Sequence, residues 1–239
     1  MSGSGLTTAK RTYVRGVRVV GRGLTAMRVI DTEPPPREQR TRHWLHSLTR
    51  VHDTGALVDL DVPWWTYRAV DEIEVWLSAL PRPARVFEYG AGASTVWLAR
   101  RSGEVVSVEH DPGFAVAMEA LLSTVPNATM LLRPPTPSGR PAVPSAKEGY
   151  AGLDFASYVA AIDEVSGDFD LVVIDGRARE ASLERALPRL ADGGIVVFDN
   201  TRRRRYRRAI EAAPVVERRL RGLTPTLPYP EQTSVLRPA

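Results

Sequence analysis

Residues 85–95 read Arg85-Val-Phe-Glu-Tyr-Gly90-Ala-Gly92-Ala-Ser94-Thr95. An apolar run stops at two glycines, and a helical pattern opens at Ser94 and runs over 94–101. A strand that turns this sharply into a helix leaves the helix's first N–H groups pointing outward. Those groups favour a carboxylate or a phosphate, and Ser94 or Thr95 can cap them. Gly90 and Gly92 permit the tight turn and let a ligand approach the backbone closely. The third glycine of the dinucleotide fingerprint is absent, because position 95 is Thr.

Outward from this turn the alternation repeats. The sequence predicts strands over 85–89, 104–109, 128–132, 169–174 and 194–198. It predicts helices over 94–101, 112–122, 154–165, 179–190 and 201–212, with 215–220 and 233–236 as a closing strand pair. Strands that are continuous apolar runs separated by helices imply a parallel sheet covered on both faces. The predicted class is therefore α/β, with a mostly parallel sheet and a C-terminal antiparallel strand. Upstream, Asp61-Val-Pro63 reads as an N-cap with Pro in the first helical turn. Trp65, Ala69, Ile73, Trp76 and Leu80 follow at helical spacing, a stripe that usually faces the core.

Composition narrows the class. The chain has 239 residues and no cysteine, which excludes disulfide scaffolds, thiol nucleophiles, Cys-ligated zinc and iron–sulfur clusters. Apolar content of 43% and charged content of 25% exclude global disorder. No apolar run reaches the ~18 residues of a membrane span, and no secretory signal pattern is evident, so a cytoplasmic location is expected. The net charge of +4 permits an anionic ligand without demanding nucleic acid.

Residues 1–62 read as a basic N-terminal extension, partly ordered, and 63–239 as the domain. Glycines at 16, 21 and 23 interrupt an otherwise amphipathic basic pattern at 13–30. Residues 133–150 contain five prolines and no periodicity, and read as a lid-like loop.

In open parallel sheets, ligands bind beyond the carboxyl ends of the strands. Four such ends carry polar residues: Glu88 to Thr95, Glu109-His110-Asp111, Asp175-Gly176-Arg177 and Asp199-Asn200. Glu109 lies 19 residues after Gly90, an offset at which an acid can accept both hydroxyls of a ribose. Turn and acid together specify a nucleoside with an anionic tail.

These motifs resemble a class I S-adenosylmethionine (SAM)-dependent methyltransferase, a Rossmann-like fold, over roughly 63–239. The resemblance implies that Glu88, Tyr89, Gly90, Gly92, Ser94, Thr95, Glu109, His110 and Asp175 contact SAM, with His110 against the adenine. His110 also reads as a protonated partner of Glu109 or Asp111. Asp175, Asp199 and Asn200 resemble the Mg²⁺ ligands of metal-dependent O-methyltransferases, a hard oxygen set. For Asp199-Asn200 a helix N-cap is the simpler reading. That group carries a Lys three residues after the first of these acids, where this chain has Ala178 flanked by Arg177 and Arg179. The base is therefore open among Asp175, His110, His43, His46 and His52. The resemblance implies O-methylation of a small or oligomeric acceptor, a saccharide first, as in bacterial sugar and mannoside methyltransferases.

Arg202-Arg-Arg-Arg205-Tyr206-Arg207-Arg208 is the densest charge run. It reads as a solvated face, with one or two Arg reaching the substrate. A nucleic-acid partner is the alternative and lacks any accompanying module pattern. A homodimer supported by the aromatic helix at 63–76 and the basic arm is a further expectation.

Overall fold

The computed structural model describes residues 33–50 and 54–239. The glycine-interrupted stretch at 13–30 and His52 lie outside the described residues. The main sheet contains β1 (Arg85–Tyr89), β2 (Glu104–Glu109), β3 (Ala128–Leu132), β6 (Phe169–Ile174), β7 (Leu190–Phe198), β8 (Val215–Gly222) and β9 (Glu231–Pro238). Their order is β3-β2-β1-β6-β7-β9-β8. The first five run parallel; β9 is antiparallel to both β7 and β8. This is the Rossmann-like methyltransferase arrangement predicted from the sequence. A small pair, β4 (Thr136–Pro137) and β5 (Leu153–Asp154), lies apart.

Alternate residues of each central strand feed two cores. Val86, Val105, Leu171, Val173, Ile195 and Val197 face α3 (Tyr67–Ser78) and α4 (Ala93–Ala99). Phe87, Tyr89, Val172, Ile174, Val196 and Phe198 face α6 (Ala156–Ala160), α7 (Arg179–Ala186) and α8 (Arg204–Ala212). α5 (Pro112–Leu122) follows β2, with Asp111 as its N-cap and Pro112 in its first turn.

Some element boundaries differ from expectation, each for a local reason. The helix predicted from Asp61 starts at Tyr67, with the Thr66 hydroxyl accepting from the Ala69 N–H at 3.3 Å. Asp61 has a left-handed φ of 50° and is drawn away by Arg100 and Arg101. Trp65 therefore lies before the helix, although it is buried as expected. α7 gives way to a 3₁₀ turn at Leu187–Arg189, because Pro188 cannot continue an α-helical bond. α8 begins at Arg204 rather than 201, since Asn200 turns left-handed and the Thr201 hydroxyl engages Gln232 and Ser234 of β9.

The described part of the extension packs onto the domain. α1 (Arg40–Ser47) ties down the loop between β8 and β9: Trp44 Nε1 donates to the Leu227 carbonyl, and the Thr226 N–H donates to Ser47 Oγ, both at 2.9 Å. α2 (Thr54–Asp59) and the turn after it send Leu57, Leu60 and Val62 into the core. Trp65 and Tyr67 are likewise core residues, so no partner copy is needed to cover them.

Leu57 is fully buried. Leu57→Ala is expected to lower the unfolding free energy by about 2–4 kcal/mol. Urea denaturation checks this, and a change within error would mean that 54–62 is not part of the core.

Candidate active site

One cavity of ≈ 490 Å³ opens along the carboxyl ends of β1, β2, β6 and β7. The turn after β1 forms its floor. Gly90 has φ +101°, and a Cβ there would lie 2.7 Å from Gly176 Cα, so the ends of β1 and β6 can meet only through glycine. Gly92 is extended, and a Cβ on it would meet nothing nearer than Ser94 Oγ at 3.8 Å. The space beside Gly92 is cavity, a place for ligand against bare backbone.

The turn is held from below by a buried carboxylate. Glu88 accepts from the hydroxyls of Ser94, Thr95 and Ser107, the last two at 2.5 and 2.6 Å. Thr95 Oγ1 in turn accepts from the Gly92 N–H at 2.9 Å. Burial pushes the Glu88 carboxyl up to about 7 despite these three donors. Glu88 and Thr95 were expected at the cofactor; their side chains instead lie beneath the cavity and shape it. The Tyr89 ring also faces away, its hydroxyl donating to the Val159 carbonyl at 2.8 Å. Ser94 does line the cavity.

At the end of β2, Glu109 uses one oxygen to accept from the His110 and Asp111 N–H groups, both at 2.7 Å. Oε2 takes no hydrogen bond among the described residues, and the side chain lines the cavity. That open acceptor fits the hydroxyls of a diol presented from within the cavity. His110 Nδ1 lies 2.6 Å from Glu109 Oε1, a close contact poorly angled for a hydrogen bond. Its Nε2 is 2.9 Å from the Tyr150 hydroxyl. Tyr150 comes from the Pro-rich segment, which Asp154 fastens by accepting the N–H groups of Ala142 and Val143. Tyr150, Phe155 and Tyr158 surround the imidazole ring.

At the ends of β6 and β7 lie two carboxylates and an arginine. Ala178 has a left-handed φ of 46°, which swings Arg179 back under the rim. Arg179 is buried. Its Nε donates to the Gly176 carbonyl at 3.0 Å, Nη1 to the Asp199 carbonyl at 2.6 Å and Nη2 to Asp175 Oδ1 at 2.6 Å. Asp199 accepts from the Thr233 hydroxyl at 2.7 Å and from Asn200 Nδ2 at 2.5 Å. Burial raises the Asp175 carboxyl against the pull of Arg179, and burial together with the neighbouring Asp175 charge takes Asp199 up to about 7.

This arrangement does not fit the Mg²⁺ site read from the sequence. A guanidinium sits on Asp175, and both oxygens of Asp199 are occupied by donors of the chain. Among the described residues, no group of three His, Asp or Glu side chains could hold a metal. Nor do His43 and His46 reach the cavity. Both are buried, His43 Nδ1 lies 2.7 Å from the Tyr67 hydroxyl, and burial lowers its pKa.

Sequence reasoning missed other lining residues. Phe114 and Tyr150 lack a motif, and their place follows only from how α5 and the Pro-rich segment fold over the rim. Trp64, Leu227 and Tyr229 also line the cavity. Of the arginine run, only Arg203 does so. Arg205 and Arg207 pair instead with Glu180, Glu211 and Glu217.

Residues 87–201 match a family described as a methyltransferase domain. No curated protein sequence matches the chain. Among solved structures, precorrin-6y C5,15-methyltransferase from Geobacter metallireducens superposes with a TM-score of 0.51 at 14% identity, over 72% of this chain and 88% of its own. A methyltransferase-like protein from Silicibacter pomeroyi is 23% identical, with a TM-score of 0.45 over 70% and 87%. A SAM-dependent O-methyltransferase from Thermotoga maritima is 16% identical, with a TM-score of 0.48 over 77% and 71%. No helix among the described residues is long and apolar enough to cross a membrane.

The raised Glu88 carboxyl has a pH consequence. A carboxyl raised on folding contributes stability that is full below its unfolded pKa and is lost as pH rises through its folded pKa. For Glu88 that window runs from the ordinary 4.5 to about 7. Glu88→Gln, which cannot ionise, is expected to gain on the wild type by on the order of 3 kcal/mol between pH 4 and pH 8. Melting curves across that range check it; a constant difference would place the Glu88 titration elsewhere.

Proposed function

We propose that the protein is a SAM-dependent O-methyltransferase acting on a hydroxylated small or oligomeric acceptor, with a saccharide as the preferred class. The observation that carries this reading is the Asp175–Asp199 pair in the same cavity that Gly92 and Glu109 line. SAM supplies an electrophilic sulfonium methyl group. The chain's residues do the rest. Backbone beside Gly92 leaves room for the donor's amino-acid end, and Glu109 accepts from a ribose. His110 and Phe114 offer ring surfaces near that acid, so His110 belongs with the nucleoside rather than with the base.

The acceptor hydroxyl must lie in line with the methyl group, and positioning supplies much of the rate. It must also lose a proton. Two buried carboxylates that resist joint ionisation titrate as a pair, and the pair can take that proton near neutral pH. This reading assigns the base to Asp175 and Asp199 together, with Asp199 as the member that titrates near 7. Trp64 and Tyr229 add aromatic faces to the mouth, and Asn200, Arg203 and Glu231 add polar groups. That mixture suits a ring bearing several hydroxyls. The nucleic-acid alternative is less well supported, because Arg205 and Arg207 of the run are already paired with acids.

S-adenosylhomocysteine is expected to bind the full chain in calorimetry, with chelator present. Glu109→Ala is expected to weaken it by about 1.5–3 kcal/mol, the value of hydrogen bonds to a charged group. Absence of binding in the wild type would sink the methyltransferase reading. Once an acceptor is found by screening sugars, the rate is expected to rise with pH through about 7, following the Asp199 carboxyl. Asp199→Asn should remove most of that rise; an unchanged profile would move the base elsewhere.

A further inference from the structure

The cation of this site is built into the chain. We propose that Arg179 fills, as a covalently fixed charge, the place a divalent ion would take between Asp175 and Asp199, and that the site therefore works without a bound metal. The metal-free chemistry rests on the methyltransferase reading; the occupancy of the place by Arg179 does not.

Three observations carry the inference. The first is saturation. Arg179 makes contacts through all three guanidinium nitrogens, to the carbonyls of Gly176 and Asp199 and to both the carbonyl and Oδ1 of Asp175. These acceptors are hard oxygens at the ends of β6 and β7, the kind an Mg²⁺ or Ca²⁺ ion would gather. The second is burial. Arg179 is 4% exposed, and a charge taken that far out of water persists only with countercharge and filled hydrogen bonds. Asp175 supplies the paired charge at 2.6 Å, and Asp199 adds a second favourable field. The third is backbone. Ala178 adopts a left-handed conformation that a side-chain-bearing residue enters only under constraint, and that turn aims Arg179 inward. A second cation entering here would meet a fixed guanidinium and, in Asp175, a carboxylate already paired with it.

The consequence for the reaction is one of positioning. Arg179 touches no reacting atom. It locks the ends of two strands together and fixes the carboxylate pair, a task for which a planar, always-charged fork suits better than an ammonium.

The test is Mn²⁺ binding to the full chain, by calorimetry and by the electron paramagnetic resonance of free Mn²⁺. Wild type is expected to show no site that depends on Asp175. Arg179→Ala leaves two uncompensated carboxylates and is expected to bind Mn²⁺ roughly tenfold or more tightly than wild type. Asp175→Asn added to that variant should abolish the gain. If Arg179→Ala does not fold, Arg179→Gln keeps much of the volume and the same comparison is made. A wild-type Mn²⁺ site that Asp175→Asn removes would overturn the proposal, as would a folded variant lacking Arg179 with no gain in affinity. S-adenosylhomocysteine binding is scored separately in the same samples. Its loss in wild type would sink the methyltransferase reading and leave the cation result standing.

Discussion

A buried charge must find its counterpart inside the protein, and this constraint organises the functional edge of the sheet. Arg179 is out of water, so the carbonyls of Gly176 and Asp199 and the carboxylate of Asp175 converge on it. That convergence joins the ends of β6 and β7. It also explains why Ala178 tolerates a left-handed turn: strain of about 1–2 kcal/mol is small beside the penalty of leaving a buried guanidinium unpaired. One strand away, Glu88 solves the same problem differently. Its partners are three hydroxyls and no cation, so its carboxyl is raised, whereas Arg179 keeps its charge. The two devices sit at the ends of neighbouring strands, β1 and β6, beside one cavity. One fixes the turn on which a ligand would lie, and the other fixes the carboxylates it would face.

Much of the fold was legible in the sequence because the central strands are continuous apolar runs. The bounds of β1, β2, β3 and β6 coincide with the runs read at 85–89, 104–109, 128–132 and 169–174. Parallel strands buried on both faces leave little room for polar interruption, so their ends are sharp. Helix starts were less legible, because a cap is a competition between neighbouring side chains. Asp61 and Thr66 can both cap; Arg100 and Arg101, remote in sequence, take Asp61 and leave the task to Thr66. Nothing local to residues 61–66 records that contest.

The site was legible in outline and not in its inner geometry. Strand direction alone brings Gly90, Glu109, Asp175 and Asp199 to one rim, and they do line one cavity. Which atoms face the cavity is set by packing. Glu88 and Thr95 belong to the same motif as Gly92, yet they point down toward Ser107. Asp175, Asp199 and Asn200 form a plausible metal set only while Arg179 is treated as a surface residue. The sequence did carry a signal here, an arginine beside the position where a lysine stands in metal-dependent enzymes. Its meaning depended on a left-handed turn that no residue pattern announces at an alanine.

The strand order also governs how the molecule can assemble. β9 lies between β7 and β8 although it follows both in the chain. β8 therefore has no neighbour in the sheet until residues 231–238 arrive to separate it from β7 and pair with both. The Val196–Leu236 and Leu220–Thr233 pairings close in the same event. Asp199 receives its hydroxyl from Thr233, and the loop that carries Tyr229 to the cavity is anchored only then. During synthesis, the parallel half of the sheet can condense early, whereas the part of the cavity lined by Asp199 and Tyr229 is among the last to form.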